Sequence, residues 1–468
     1  MLFNSTIFLF VFLPIAYAVF WILRSANARY VWLTITGYVF YAYWDPRFTL
    51  LMAFSTLVSY TAGLGFLRWD ADPRRRKLCL VVPIVTDLTL LGFFKYANFA
   101  LSTVGATLHW LGGGEVALPH LNVILPIGIS FYTFHTIGYI VDSYRRQVRP
   151  TRNFFEFAAF VSLFSQLVAG PIVRFRAIEG DLLELGRSER TRWLYRGISF
   201  FAYGLVAKVL VADTLGAFVD PALAHYRQLS SLGAWMAMLG YTFQLYFDFD
   251  GYSCMAVGLG YLFGLRIPQN FDSPYKSLDP SDFWRRWHIS LSACLRDYVY
   301  IPLGGSRRGA WRTYRNLLLT MLIGGLWHGA GWTFVVWGAY HGLLLALYKR
   351  FGATWDRLPR GARQLGMFLL AVFGWVLFRA TDFGMAVWVL RAMVVPTAGV
   401  LVLQPALAAA LLLLAGWWSL RGPNAYDLHR RPERDRAWRR QVAVAASLGA
   451  SLAIIIGSRP SPFLYFQF

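Results

Sequence analysis

Apolar runs long enough to cross a bilayer recur along this chain and leave it few alternatives. They are Leu2–Leu23, Phe48–Leu67, Leu78–Phe94, Leu121–Val141, Trp193–Val211, Met236–Leu265, Gln364–Phe378, Leu401–Leu420 and Val442–Gly457. A spanning helix needs about 20 mostly apolar residues. Lipid offers backbone N–H and C=O groups no partners, so such segments must bond within themselves. The runs are continuously apolar, not alternating, which argues against a β-barrel. The expected fold is all-α: a polytopic integral membrane protein with roughly ten to thirteen membrane segments, some re-entrant or half-crossing. Composition agrees, since 57% of the 468 residues are hydrophobic and 15% charged, against about 25% charged in soluble domains.

The formal net charge is +21, from 45 Lys and Arg against 24 Asp and Glu. The positive residues collect between the apolar runs, in Arg68–Lys77, Arg145–Arg152, Arg174–Arg192, Arg266–Arg315, Lys349–Arg363 and Arg421–Arg440. That is the pattern of cytoplasmic loops facing anionic lipid headgroups, and it makes nucleic acid an unneeded partner. The 105–120 loop has no Lys or Arg and holds Gly112-Gly113-Gly114, so it is expected on the other side. No Lys or Arg precedes the first apolar run, whereas Arg24 and Arg29 follow it. An uncleaved first span with its N-terminus outside the cytoplasm fits this. Simple alternation then holds through Arg152 and fails beyond it. Segment 154–172 lies between two basic loops and is expected to enter and return on one side; Glu179–Arg192 reads as an interfacial helix. Such segments are tolerated at membrane depth only inside protein or beside a wet cavity. Cys79, Cys254 and Cys294 form no CxxC pair, so neither a disulfide framework nor a zinc site is expected. Nothing marks a domain boundary, and 1–468 reads as one domain.

Chemistry concentrates between Phe283 and Gly331. His328 lies in Gly324-Gly325-Leu326-Trp327-His328-Gly329-Ala330-Gly331, inside a long apolar run. An ionisable group there costs roughly 2.5 kcal/mol or more and is by default a functional-site hypothesis. A neutral imidazole suits proton abstraction from a hydroxyl near neutral pH. The glycines let a backbone or a substrate approach closely, and Trp327 and Trp332 stand ready to wall the space. The bland alternative is a buried histidine in a helix-packing glycine cluster. His288, forty residues earlier, sits in Asp282-Phe283-Trp284-Arg285-Arg286-Trp287-His288, which also describes an interfacial anchor. Its arginines suit phosphates or carboxylates. Asp248 and Asp250 stand two residues apart in an aromatic run, so a helix would aim them at different partners; one is expected to pair with Arg285, Arg286 or Arg296. His135 and His341 read as satisfied helix-contact residues, and no metal cluster, GxSxG elbow or GxxxxGK loop is present.

An ordered set of motifs carries a resemblance. It comprises FFKYANF (93–99), LPIGISFYTFHTIGYIVDSYR (125–145), LVAGPIVRF (167–175), YFDFDGYS (246–253) and NFDSPY (270–275). It continues with DFWRRWHISLS (282–292), LRDYVYIPLGG (295–305), GGLWHGAGW (324–332) and YFQF (465–468). The chain resembles the membrane-bound O-acyltransferase family, in the bacterial subset that acetylates alginate, with the motif core at about 90–350. The resemblance implies a funnel or tunnel through the membrane, a catalytic His328 in the Trp-His-Gly motif, and His288 as the second polar position. It also implies an acyl group passed from a cytoplasmic thioester toward a far-side acceptor, with a periplasmic acetyltransferase or esterase-like partner and a polysaccharide biosynthesis complex. One departure is that Asp250 and Cys254 stand where the family pattern has serine and aspartate, which moves a carboxylate by one helical turn.

The expected enzyme is thus an O-acyltransferase of the bacterial inner membrane, using acetyl-CoA or another acyl thioester as donor substrate, with no tightly bound cofactor. His328 would be general base, and His288 would orient the reacting groups or donate to the developing oxyanion. Trp327, Arg285, Arg286, Arg296, Asp248 and Tyr252 are expected to contact substrate or donor. The rival readings are a transporter or flippase, and a docking subunit without chemistry of its own.

Overall fold

The computed structural model describes residues 1–112, 118–185, 190–430, 437–457 and 461–464. Gly113 and Gly114 of the glycine run and the YFQF motif at 465–468 lie outside the described residues. Among the described residues every regular element is helical, and the only extended pairing is an isolated bridge between Leu229 and Val400. Helix starts follow ordinary capping chemistry. The Ser25 side chain accepts from Ala28 N, Asp72 accepts from Arg74 N and Arg75 N ahead of Pro73, and Asn153 accepts from Phe155 N and Glu156 N.

Four helical stretches are long and apolar enough to cross a bilayer: Arg47–Arg68, Pro73–Trp110, Trp193–Ala224 and Arg360–Arg379. Four shorter apolar helices accompany them, at Phe8–Ile22, Phe383–Val394, Pro405–Arg421 and Gln441–Gly457. Two expectations are corrected. The run Leu121–Val141 is not one helix: residues 121–126 are irregular, Gly128 turns the chain at φ 80°, and the helix begins only at Ile129. A Cβ at Gly128 would strike the Leu167 carbonyl oxygen, so the close approach requires glycine there. The interfacial helix placed at Glu179–Arg192 begins earlier, at Phe175, and ends at Leu183; residues 186–189 lie outside the described residues. Segment 154–172 holds a helix of only nine residues, Phe154–Ser162, followed by buried irregular chain. That is backbone which a membrane tolerates only inside protein.

Backbone contacts group the chain into two compact units. The first unit holds Met1, Phe10–Trp193 and Gly260–Ile267. Its helices are α1 (Leu13–Ile22), α2 (Ala26–Ala42), α3 (Arg47–Arg68), α4 (Pro73–Leu91), α5 (Ala97–Trp110), α6 (Ile129–Tyr144), α7 (Phe154–Ser162) and α8 (Phe175–Leu183). The buried Asp87 on α4 accepts from Ser55 Oγ on α3 and Thr136 Oγ1 on α6, each at 2.6 Å, and so ties three helices together. His135 is buried beside Phe160, and neither ring nitrogen has a hydrogen bond to a described residue.

The second unit holds Leu2–Leu9, Leu194–Leu259 and Pro268–Phe468. Its helices are α9 (Arg190–Leu205), α10 (Asp213–Ala224), α11 (Ser231–Leu262), α12 (Pro280–Arg286), α13 (Ile289–Leu295), α14 (Ala310–His328), α15 (Trp332–Trp355), α16 (Arg360–Arg379), α17 (Phe383–Val394), α18 (Pro405–Arg421), α19 (Ala425–Arg430) and α20 (Ala437–Gly457). Helices α14 and α15 form its most intimate pair. A Cβ at Gly338 would strike the Met321 carbonyl oxygen, one at Gly342 would come within 2.9 Å of Leu318 Cα, and one at Gly325 would strike the Phe334 carbonyl oxygen. The small residues at 338 and 342, four apart, let two backbones touch where lipid supplies no hydrophobic drive for association. Gly338→Leu should therefore lower the melting temperature of the purified protein in detergent, because overpacking costs about 1–3 kcal/mol or more at a site with no room to relax. Gly361→Ala, which meets no atom within 4 Å, should leave the melting temperature unchanged; equal melting of the two variants would contradict this packing account.

Candidate active site

Two short helices and a left-handed residue place His288. Asp279 caps α12 by accepting from Asp282 N at 2.7 Å, Pro280 presets the first turn, and the helix ends after seven residues at Arg286. Trp287 is extended, His288 takes φ 44° and ψ 55°, and α13 starts at Ile289. Few non-glycine residues sit in that region, and those that do are held there by their surroundings. Asn270 does the holding. Its backbone oxygen accepts from Ile289 N at 2.8 Å. Its side-chain Oδ1 accepts from Ser290 N at 3.2 Å and Ser290 Oγ at 2.8 Å, while its Nδ2 donates to Ser253 Oγ at 3.2 Å.

This arrangement fixes a proton. A backbone N–H can only donate, so the Asn270 atom facing Ser290 N is the oxygen. His288 Nδ1 lies 3.1 Å from that same oxygen and must donate to it. The neutral ring then carries its proton on Nδ1 and its lone pair on Nε2. His288 is fully buried, and its Nε2 has no hydrogen bond to any described residue.

His328 is the last residue of α14, where Gly329 turns the chain away at φ −157°. The His328 and His288 ring centroids are 6.3 Å apart, with Trp327 5.7 Å from His288 and 4.9 Å from His328. Trp337 on α15 and Phe378 on α16 close on His328 edge-to-face at 5.0 and 5.2 Å. Phe249 meets the His288 ring at 4.8 Å and 85°. All six rings are buried. The two histidines that sequence singled out are thus brought together among aromatic walls, close enough to act on one small group.

Other expectations divide. Trp327 lies at the site, but Trp332 is 51% exposed, and the wall it was expected to form comes from Trp337. Arg285 pairs with Asp282 at 3.5 Å, Arg286 with Asp282 at 3.1 Å and Asp272 at 3.4 Å, and Arg296 with Asp297 at 2.7 Å. None of these arginines meets Asp248, which corrects the expected loop pairing: Asp248 is met inside the helices by Lys208 Nζ at 2.6 Å. Asp248 and Asp250 do face different partners, as their spacing requires, and Cys254 Sγ lies 3.7 Å from Asp250 Oδ1. Asp250 and Cys254, one turn apart, thus share a helix face. Tyr252 stacks on Phe3 at 4.6 Å and packs on Phe463 at 4.6 Å, a place among chain-end aromatics. His341 is buried against Trp284, Trp337 and Phe283, and its Nε2 has no hydrogen bond to a described residue. The residue types alone did not single out Asn270, Trp337, Phe378 or Lys208. Lys208 had a signal, since a lysine inside the apolar run 193–211 needs a partner.

The model of MBOAT, the membrane-bound O-acyltransferase family, matches residues 137–387 and so contains both histidines and Asn270. The probable alginate O-acetylase AlgI of Pseudomonas aeruginosa is 44% identical over 389 residues, covering 82% of this chain and 73% of that protein. The probable alginate O-acetylase AlgI of Pseudomonas putida is 41% identical over the full length of both chains. The peptidoglycan O-acetyltransferase of Helicobacter pylori is 37% identical over 431 residues, covering 84% and 80%. A buried imidazole pair and a match over more than half of the chain lead to one statement: this protein belongs to the membrane-bound O-acyltransferase family and is an O-acyltransferase.

Proposed function

We propose that this protein transfers an acetyl group from a cytoplasmic thioester, acetyl-CoA, into a pathway that O-acetylates an extracytoplasmic polysaccharide, and that it does so in the bacterial inner membrane. The observation that carries the reading is the facing pair His288 and His328, one of them with its tautomer set by Asn270. Relatives named for acetylation of alginate and of peptidoglycan support acetyl as the group and a glycan hydroxyl as the final acceptor.

His328 takes the proton as the acceptor hydroxyl oxygen attacks the thioester carbon, a contribution of about 10² to 10⁴ in rate. The C–O bond forms, the C–S bond breaks, and the departing thiolate takes the proton back from the imidazolium. His288 cannot donate to the carbonyl oxygen while its proton sits on Nδ1, so oxyanion donation gives way to orientation: the ring fixed by Asn270 bounds and aligns the acceptor, whose single hydroxyl proton goes to His328. Trp327, Trp337 and Phe378 keep water from the thioester. The donor phosphates would exchange with Asp282, Asp272 and Asp297 for Arg285, Arg286 and Arg296. An esterase-like periplasmic acetyltransferase, working with the polysaccharide biosynthesis complex, takes the acetyl onward.

His328→Ala should lower transfer of radiolabelled acetyl from acetyl-CoA in membrane vesicles by about a hundredfold or more, with insertion into the membrane unchanged; wild-type rates in that variant would overturn the assignment. Asn270→Leu should lower the rate roughly tenfold or more by freeing the His288 tautomer, while Asn270→Asp, which keeps an acceptor for Nδ1–H, should retain most of it. Equal rates for the two Asn270 variants would show that the tautomer does not matter.

A further inference from the structure

The second unit buries a charge cluster that the proposed chemistry does not use. Lys208 Nζ lies 2.6 Å from Asp248 Oδ1 and 2.7 Å from Asp213 Oδ1, with the Lys208 and Asp248 side chains 4% and 1% exposed. Charges inside apolar helices are costly, and an ion pair there adds little stability over an apolar pair of the same volume. Both members of this pair grip one stretch of backbone. Lys208 Nζ donates to Pro462 O at 3.2 Å, and Leu464 N donates to Asp248 Oδ2 at 2.9 Å. Asn4 Nδ2 adds a bond to Ser461 O at 3.2 Å. Between these anchors Phe463 is buried, 4.6 Å from the Tyr252 ring and 5.8 Å from Phe249, the ring that meets His288 edge-on at 4.8 Å.

We infer that Asp248 and Lys208 are positioning residues for His288: they clamp the 461–464 segment so that Phe463 sets Phe249 against the imidazole. The Asp248 carboxylate thereby acts through a chain of rings, not on the donor. This rests on the role given to His288 above. A misplacement of the imidazole by a fraction of an ångström slows the acyl transfer step and leaves donor binding alone.

The test uses Asp248→Leu in the full chain. It removes the acceptor for Leu464 N and leaves Lys208 paired with Asp213, so no lone charge is buried. Leu464→Cys supplies a reporter thiol, since Cys79, Cys254 and Cys294 are all buried. Maleimide should label position 464 slowly in the otherwise wild-type chain and rapidly beside Asp248→Leu. In vesicles with acetyl-CoA, Asp248→Leu should lower kcat roughly tenfold to a hundredfold with KM for acetyl-CoA unchanged. Phe463→Ala, which leaves the ion pair intact, should show the same split, and Phe463→Leu should recover most of kcat. A raised KM with unchanged kcat would return Asp248 to donor binding and overturn the inference. So would full kcat with position 464 released, or continued protection of position 464 in Asp248→Leu. Absence of acetyl transfer by the wild type, or full activity in His288→Ala, would instead sink the reading of the site and take this one with it.

Discussion

One amide oxygen organises the site. Asn270 Oδ1 gathers the Ser290 backbone N–H, the Ser290 hydroxyl and His288 Nδ1, and each bond limits what the others can do. The backbone donor identifies the oxygen, the oxygen dictates the tautomer, and the tautomer leaves Nε2 as an acceptor. That bond, with the Asn270 bonds to Ile289 N and Ser290 N, braces the left-handed turn at His288 and orients the ring. In a low-dielectric interior such a bond is strong, and its loss strands a polar group that water cannot reach. Around it stand aromatic rings that pack on the two imidazoles.

Membrane burial explains why so few polar side chains suffice. Several buried carboxylates are satisfied inside the helices by small local devices. Asp87 takes two hydroxyls, Asp248 takes Lys208 and a backbone N–H, and Asp250 takes a thiol. The glycines around His328 prove to serve the α14–α15 contact more than open space, since Phe334 fills what they leave. Helix packing and the proposed site therefore share one motif: the same close approach that joins the helices ends α14 at the histidine.

The helical membrane architecture could be read from the apolar runs alone, because span length and backbone satisfaction admit one answer. The pairing of His288 with His328 could not, since thirty-nine intervening residues and three helix boundaries separate them; it entered through family resemblance. Leu121–Val141 misled because hydropathy does not register Gly128, whose positive φ breaks the run. The partner of Asp248 was sought among loop arginines, where positive charge is plentiful, but a buried carboxylate gains most from an equally buried cation, and Lys208 was the one at hand. Trp337 was overlooked in favour of Trp332 because proximity in sequence to His328 says nothing about which face of α15 turns toward it.

Chemistry at His328 requires that a donor thioester reach it within the bilayer. The most direct measurement is an experimental structure of the protein bound to a non-hydrolysable acetyl-CoA analogue. The carbonyl carbon should lie within about 4 Å of the His328 ring, with room beside it for a hydroxyl within reach of that imidazole. A carbonyl held more than about 10 Å from both imidazoles, far beyond any near-attack geometry, would contradict the account.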